Sequence, residues 1–206
     1  MTTATRTGLE TITVTLTGAT PLVMHHPRMA DPLDGAAKAL RELTSKTRKT
    51  EADHLAIAEV EWRGSLYHAA DTGPYIPAEW VWRTIAKGGT QYRNGTQLQR
   101  GLLIPPADRI IPLQYDGPRD PDALYATPEH VLRSAVNANP SSSTVTKTMR
   151  TRPVFPEWRA EARLLWLPNA VDWDAITRAA EFAGWAIGIG DGRGIGYGRF
   201  EVEVTR

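Results

Sequence analysis

No cysteine occurs among the 206 residues, which excludes disulfides, thiol catalysis and every zinc site that needs sulfur, and fits a reducing compartment. Long apolar runs are missing too. No stretch nears the ~18 consecutive apolar residues of a membrane span. Met1 to Gly8 are polar and threonine-rich, unlike the basic start and apolar region of a secretory signal, so a cytoplasmic protein without membrane contact is expected. Net charge is almost absent: 24 Lys and Arg against 23 Asp and Glu leave +1, which by itself speaks against a strongly cationic nucleic-acid coat. Lysine is scarce, 5 against 19 arginines. Arg is the better phosphate fork, although GC-rich coding gives the same bias.

Several chemical signatures are missing as well. No Gly-Lys-Ser/Thr of a Walker loop and no serine-nucleophile elbow occurs,. Glu51-x-x-His54 appears once, where a di-iron bundle needs the motif twice. His25 and His26 are adjacent, and adjacent side chains rarely point to one ion. No metal and no cofactor is expected. No repeat of 20–50 residues is present, so a solenoid is excluded.

What is there begins with Thr11-Ile12-Thr13-Val14-Thr15-Leu16-Thr17, whose alternation predicts a half-buried strand,. After a loop from Gly18 to Pro32, Asp34 is placed to cap a helix carrying Ala37, Leu40 and Leu43. Ser45 to Thr50 reads as an exposed break and Ala52 to Arg63 as a second helix. Gly73-Pro74-Tyr75-Ile76-Pro77 is too rich in proline for a regular element; it leads into a short helix over Glu79 to Lys87, stopped by Gly88-Gly89. Leu102 to Leu113 predicts an interrupted strand, and Tyr115 to Ser143 a series of turns. Trp158, Ala160, Ala162, Leu164 and Trp166 alternate as the inner face of a long strand. Asp172 and Asp174 open a helix whose Ile176, Ala179, Ala180, Ala183 and Ile187 form one face. Phe200, Val202 and Val204 mark a last strand. This order predicts an α+β fold, a ferredoxin-like (RRM-like) β-α-β-β-α-β core. It forms a single domain over residues 1–206, with an inserted arm or flexible loop over 114–152.

The most distinctive segment has glycine at every second position: Gly188, Gly190, Gly192, Gly194, Gly196 and Gly198. The dinucleotide fingerprint needs glycines at i, i+2 and i+5 between strand and helix; neither the spacing nor the order fits. What remains is a backbone free to take positive φ and to let another backbone approach, flanked by Arg193, Tyr197 and Arg199, which can meet a phosphate or base. A crowded turn against the core helix is the alternative. The central Gly73–Pro77 segment, before a helix bearing Arg83 and Lys87, has the form of an anion site at a helix N-terminus or of a plain surface turn.

Together the two segments resemble the RAMP superfamily, the repeat-associated backbone and processing subunits of CRISPR effector complexes. Members carry a Pro-Tyr-Ile-Pro-Gly-Ser-Ser-Leu-Lys-Gly type segment opening a helix and a Gly-Tyr-Gly-Arg loop entering a final strand. Here these stretches are Pro74-Tyr75-Ile76-Pro77-Ala78-Glu79-Trp80-Val81-Trp82-Arg83 and Arg193-Gly194-Ile195-Gly196-Tyr197-Gly198-Arg199-Phe200. The serines and the lysine are missing, and Arg83 sits one position beyond the lysine's slot, which marks a divergent, stand-alone or phage-encoded member. The resemblance implies single-stranded RNA binding along a helical, head-to-tail homo-oligomer, with other effector subunits as further partners; DNA is the alternative strand.

Local charge agrees with that expectation. Residues 82–107 hold Arg83, Lys87, Arg93 and Arg100 without an acid, and residues 131–156 hold Arg133, Lys147, Arg150 and Arg152 without an acid. Each window is +4 and the remainder −7. Such windows suit phosphate tracking, with Tyr92 and Phe155 as stacking candidates; solvated basic loops are the alternative. The phosphate-binding set is Arg83, Lys87, Arg93, Arg150, Arg152, Arg193 and Arg199, with Tyr197. Trp80 and Trp82 are candidates for a subunit interface or stacking. The loop after the first strand holds His25, His26, Asp31 and Asp34. The resemblance implies a cleaving aspartate there without fixing which, and an aspartate or histidine can deprotonate a ribose 2′-hydroxyl. Asp31-Pro32 and Asp34-Gly35 are equally turn and capping pairs. Three readings therefore stand: a nucleic-acid-binding subunit, an endoribonuclease, or a phage or defence assembly subunit without nucleic acid.

Overall fold

The structure, a computed structural model, describes residues 8–137 and 147–206. In chain order they form β1 (Glu10–Gly18), β2 (Leu22–Val23), α1 (Gly35–Thr44), α2 (Glu51–Ser65), β3 (His68–Ala69), β4 (Gly73–Pro77), α3 (Ala78–Gly89) and α4 (Gly95–Gly101). There follow β5 (Leu102–Leu103), β6 (Ile110–Pro112), α5 (Pro121–Tyr125), β7 (Val131–Asn137), β8 (Lys147–Phe155), β9 (Arg159–Trp166), α6 (Trp173–Phe182) and β10 (Phe200–Thr205). The chain divides into two compact units, one of residues 1–22, 75–116 and 157–206, the other of residues 23–74 and 117–156.

The first unit is ferredoxin-like. Its sheet has the order β10-β1-β9-β5 with every pairing antiparallel, so β1 and β5, joined through α3, flank β9 as a split βαβ. The period-2 alternation of β1 buries Ile12, Val14 and Leu16 at 0% exposure, against Ala160, Ala162 and Leu164 of β9 and beneath α3 and α6. These two helices lie close together, because Gly88 faces the backbone oxygen of Ala179 and α6 offers Ala179 and Ala180. The opposite face of the sheet is polar and exposed. Thr17 stands between Arg159 and Glu201, Thr15 between Glu161 and Glu203, and Thr13 between Arg163 and Thr205.

In the second unit β7 and β8 form an antiparallel hairpin, β2 adds to β8, and α2 lies on β8 with α1 beside it. Asp34 caps α1 by accepting from the Ala36 N–H at 2.8 Å. Thr50 and Asp53 form a capping box at the start of α2,. The core centres on Trp62, fully buried, whose indole N–H donates to the His130 carbonyl at 2.9 Å and whose ring meets Tyr125.

Three local expectations are corrected. Gly73–Pro77 is a strand. Pro74 sits opposite His68 in a two-residue pairing, and Pro77 ends the strand at the entrance to α3, both positions where the ladder tolerates a missing N–H,. Residues 115–137 contain α5 and β7 rather than turns alone. The helix opened by Asp172 widens after Phe182 into a π turn over Ala183–Ile187. Residues 114–152, expected as an inserted arm, fall in both units, and residues 138–146 of that span, like Met1–Thr7, lie outside the described residues. Among the described residues no helix is long and apolar enough to cross a membrane.

Candidate nucleic-acid interface

In the first unit the glycine-rich segment returns from the π turn to β10. Gly188, Gly190, Gly192, Gly196 and Gly198 all have positive φ; Gly194 does not. At two of them the need is plain. A Cβ on Gly198 (φ 68°) would strike the Ile189 carbonyl oxygen, and one on Gly188 would lie 2.7 Å from the Gly198 oxygen. The two strands of the loop are held together by the Ile189 N–H donating to the Gly198 carbonyl at 2.9 Å. Thr20, just beyond β1, fastens the loop: its hydroxyl donates to the Gly196 carbonyl and accepts from the Arg199 N–H, both at 2.9 Å. Arg199 folds back, Nη2 donating to the Arg193 carbonyl at 3.1 Å, while its Nη1 is buried with no hydrogen-bond partner among the described residues. The loop tip is open, since nothing lies within 4 Å of a Cβ on Gly194 or Gly196 and Ile195 is 79% exposed.

Arg83 and Lys87 stand one turn apart on the exposed side of α3. Arg93 is exposed and left-handed (φ 60°), the one non-glycine of positive φ among the described residues. Tyr92 is partly exposed, but Arg178 lies over its ring at 5.9 Å and Phe182 meets its edge. Trp82 is committed internally, donating to the Leu102 carbonyl at 2.7 Å. The polar sheet face carries no aromatic ring and three carboxylates against two guanidinium groups, so it lacks the stacking platform of sheet-face RNA readers.

In the second unit the expected residues part ways. The Asp31 carboxylate accepts from the Leu33 N–H at 2.9 Å and that of Asp34 caps α1, so both serve the local backbone. His26 also caps, its Nδ1 accepting from the Arg28 N–H at 3.1 Å, and its ring lies against Tyr67. Burial, then the Arg28 charge, holds its imidazole below the usual value while Asp34 pulls the other way. His25 turns elsewhere, into a cavity of about 260 Å³ with Ser65, Glu61 and Arg150. Its Nδ1 is 3.0 Å from the Ser65 hydroxyl and its Nε2 3.5 Å from Arg150 Nη1. Arg152 is buried at 4% exposure and donates to Ser134 Oγ at 2.8 Å, and Phe155 is fully buried. Neither the phosphate contact expected of Arg152 nor the stacking expected of Phe155 is open to them.

Between α2 and the β7–β8 hairpin runs a groove of about 620 Å³, lined by Lys49, His54, Arg133 and Lys147 over Ile57, Ala58 and Met149. Arg133, Met149, Lys147 and Thr151 share one face of the hairpin by register. Glu61 lines both this groove and the smaller cavity. Its Oε2 accepts from the Thr151 N–H at 2.9 Å. Burial pushes its carboxyl above the usual range, against that N–H and the charges of Arg150, Arg133 and Arg152. Glu61 escapes a linear reading, because its partner on β8 lies 90 positions on; only the acid-free window on the hairpin points toward the groove.

No family model and no curated protein sequence matches the chain. Among solved structures it is similar to Cmr6 from Pyrococcus furiosus, over 94% of this chain and 98% of that one, at 10% identity and a TM-score of 0.40. It is also similar to a chain in the Type III-B Cmr-beta complex bound to cognate target RNA, over 96% of this chain and 61% of that one, at 11% identity and a TM-score of 0.43.

Proposed function

We propose that this protein is a divergent RAMP-like subunit that binds single-stranded nucleic acid, RNA in preference to DNA, with the phosphates held in the groove of the second unit. The observation that carries the reading is the groove itself, whose lining includes Lys49, His54, Arg133 and Lys147. The exposed Arg83, Lys87 and Arg93 and the open glycine-loop tip with Arg193 and Tyr197 offer a further phosphate-binding surface on the first unit. The motif resemblance and the acid-free windows support the same reading.

Binding of fluorescein-labelled RNA and DNA 12-mers, followed by anisotropy across a salt series, tests it. Affinity for single strands falls with a log–log slope of about −0.7 per phosphate neutralised. Replacing Arg133 and Lys147 together by Ala is therefore expected to weaken binding of all sequences alike and to flatten the slope by roughly 1.4. Salt-insensitive or absent binding would favour the assembly subunit without nucleic acid. Head-to-tail assembly, and association with other effector subunits, is the second part of the reading, measured as particle mass with and without RNA.

The cleavage reading keeps one foothold, His25, which shares its cavity with Arg150 and Glu61. Labelled RNA incubated with and without EDTA, with His25→Ala beside the parent, decides it. Equal product, or none, from both proteins removes it.

A further inference from the structure

A carboxylate on the wall of a phosphate-binding groove repels the ligand the groove is built for, so Glu61 asks for a different partner. Its geometry names one. Oε2 is fixed by the Thr151 N–H, while Oε1 receives no hydrogen bond from the described residues and belongs to a side chain that lines the groove. The same groove is lined by Lys49, His54, Arg133 and Lys147 and by the apolar Ile57, Ala58 and Met149, the last 47% exposed. Cations, apolar side chains and a single fixed acceptor match the three parts of a nucleotide: phosphate, planar base and exocyclic amine. The volume, about 620 Å³, falls in the range of small-ligand sites, roughly 300–1,000 Å³.

Resting on the reading above, we infer that this groove takes one unstacked base of the bound strand and reads it through Glu61, which accepts a hydrogen bond from the base's exocyclic amino group. Carboxylates accept from cytosine N4 in this way, and single-stranded RNA is commonly recognised by splayed bases bonded on their Watson–Crick edges. Uracil has the same ring with a carbonyl where cytosine carries the amine, and a carbonyl oxygen facing a carboxylate is repelled. Of the two pyrimidines the site therefore favours cytosine and rejects uracil.

The test compares oligo-C and oligo-U RNA 12-mers at pH 7.5 and one salt concentration, by anisotropy, for the parent, Glu61→Gln and Glu61→Ala. The parent is expected to prefer oligo-C about tenfold, the order of a single good base contact. In Glu61→Gln the amide oxygen keeps the Thr151 N–H and the amide N–H₂ faces the groove. The preference then disappears or turns toward uracil; in Glu61→Ala it disappears. The salt slope stays unchanged in both variants, since Glu61 holds no phosphate, and near-UV circular dichroism verifies their fold. Equal binding of the two oligomers by the parent, with the salt slope intact, overturns this inference and leaves nucleic-acid binding standing. A cytosine preference that survives both substitutions overturns it as well, placing the readout elsewhere. Loss of salt-sensitive binding to either oligomer sinks both readings.

Discussion

Glu61 makes a stability prediction separate from any ligand. Its carboxyl titrates above the ordinary 4.5 in the folded protein because burial outweighs the Thr151 N–H and the three guanidinium groups. Between 4.5 and the raised value the native state binds more protons than the unfolded chain, so this group's contribution falls as pH rises through that window. Glu61→Gln keeps the hydrogen bond and does not titrate. Its melting temperature is expected to match the parent near pH 4.5 and to equal or exceed it at pH 7.5, read by differential scanning fluorimetry. A variant clearly less stable at pH 7.5 would mean that the charge among Arg133, Arg150 and Arg152 outweighs its desolvation. Gly198 makes the opposite kind of prediction. Gly198→Ala forces a Cβ into the Ile189 oxygen at positive φ, at a cost of at least about 2 kcal/mol, or a melting temperature lower by roughly 4–8 °C. Gly194→Ala, with open space around it and no positive φ, is expected within about 0.5 kcal/mol of the parent.

At the scale of elements, legibility followed burial pattern. β1, β9 and β10 each bury one face and expose the other, so their alternation was readable; α6 and α3 each bury one face and were readable too. α2 is legible as a helix, but its setting is not: it packs against both α1 and β8, and no single apolar stripe shows which side is inner. The pairing of β7 with β8 is not legible, because its outer half is polar and exposed and the buried half of β8, Thr151–Phe155, carries Thr, Arg and Pro where a core strand has branched apolar residues. β4 is not legible because proline counts against a strand, and a short pairing escapes that rule,. The capping residues are legible by type; only the distances show that backbone N–H groups take up the carboxylates of Asp31 and Asp34. The sheet's open face yields a prediction of its own. Glu201→Gln with Glu203→Gln removes two charges from a face without aromatic rings, and RNA affinity in the anisotropy assay is expected to change less than about twofold. A large gain would place the strand on the sheet instead of in the groove.

Over the whole molecule, a net charge of +1 hides a division the chain makes twice. One acid-free window lies in the first unit, over α3, α4 and β5; the other lies in the second, on β7 and β8, as far as the described residues reach. Each unit thus brings its own cationic surface, and the acids collect elsewhere, on the open sheet face among other places. The ferredoxin-like plan was legible from element order. The second unit was not, since its two segments are separated by 42 residues of the first and no local pattern announces that they fold together. For the same reason the groove, which needs α2 from one segment and the hairpin from the other, had no signature before the fold was known.

The central position of β1 also sets an order of events during synthesis. Its two neighbours in the sheet are β9 and β10, which follow both segments of the second unit in the chain, and Thr20 waits 176 residues for the Gly196 carbonyl it holds. Both segments of the second unit are complete by residue 156. At about 5–20 residues per second, residues 157–166, which complete β9, take about a second to emerge. Until β9 is complete β1 has neither partner strand, a bare hydrogen-bonding edge in a nascent chain whose second unit is already fully made. β1 is made before the second unit and paired after it, which gives the ferredoxin-like unit the longer wait for its non-local partners,.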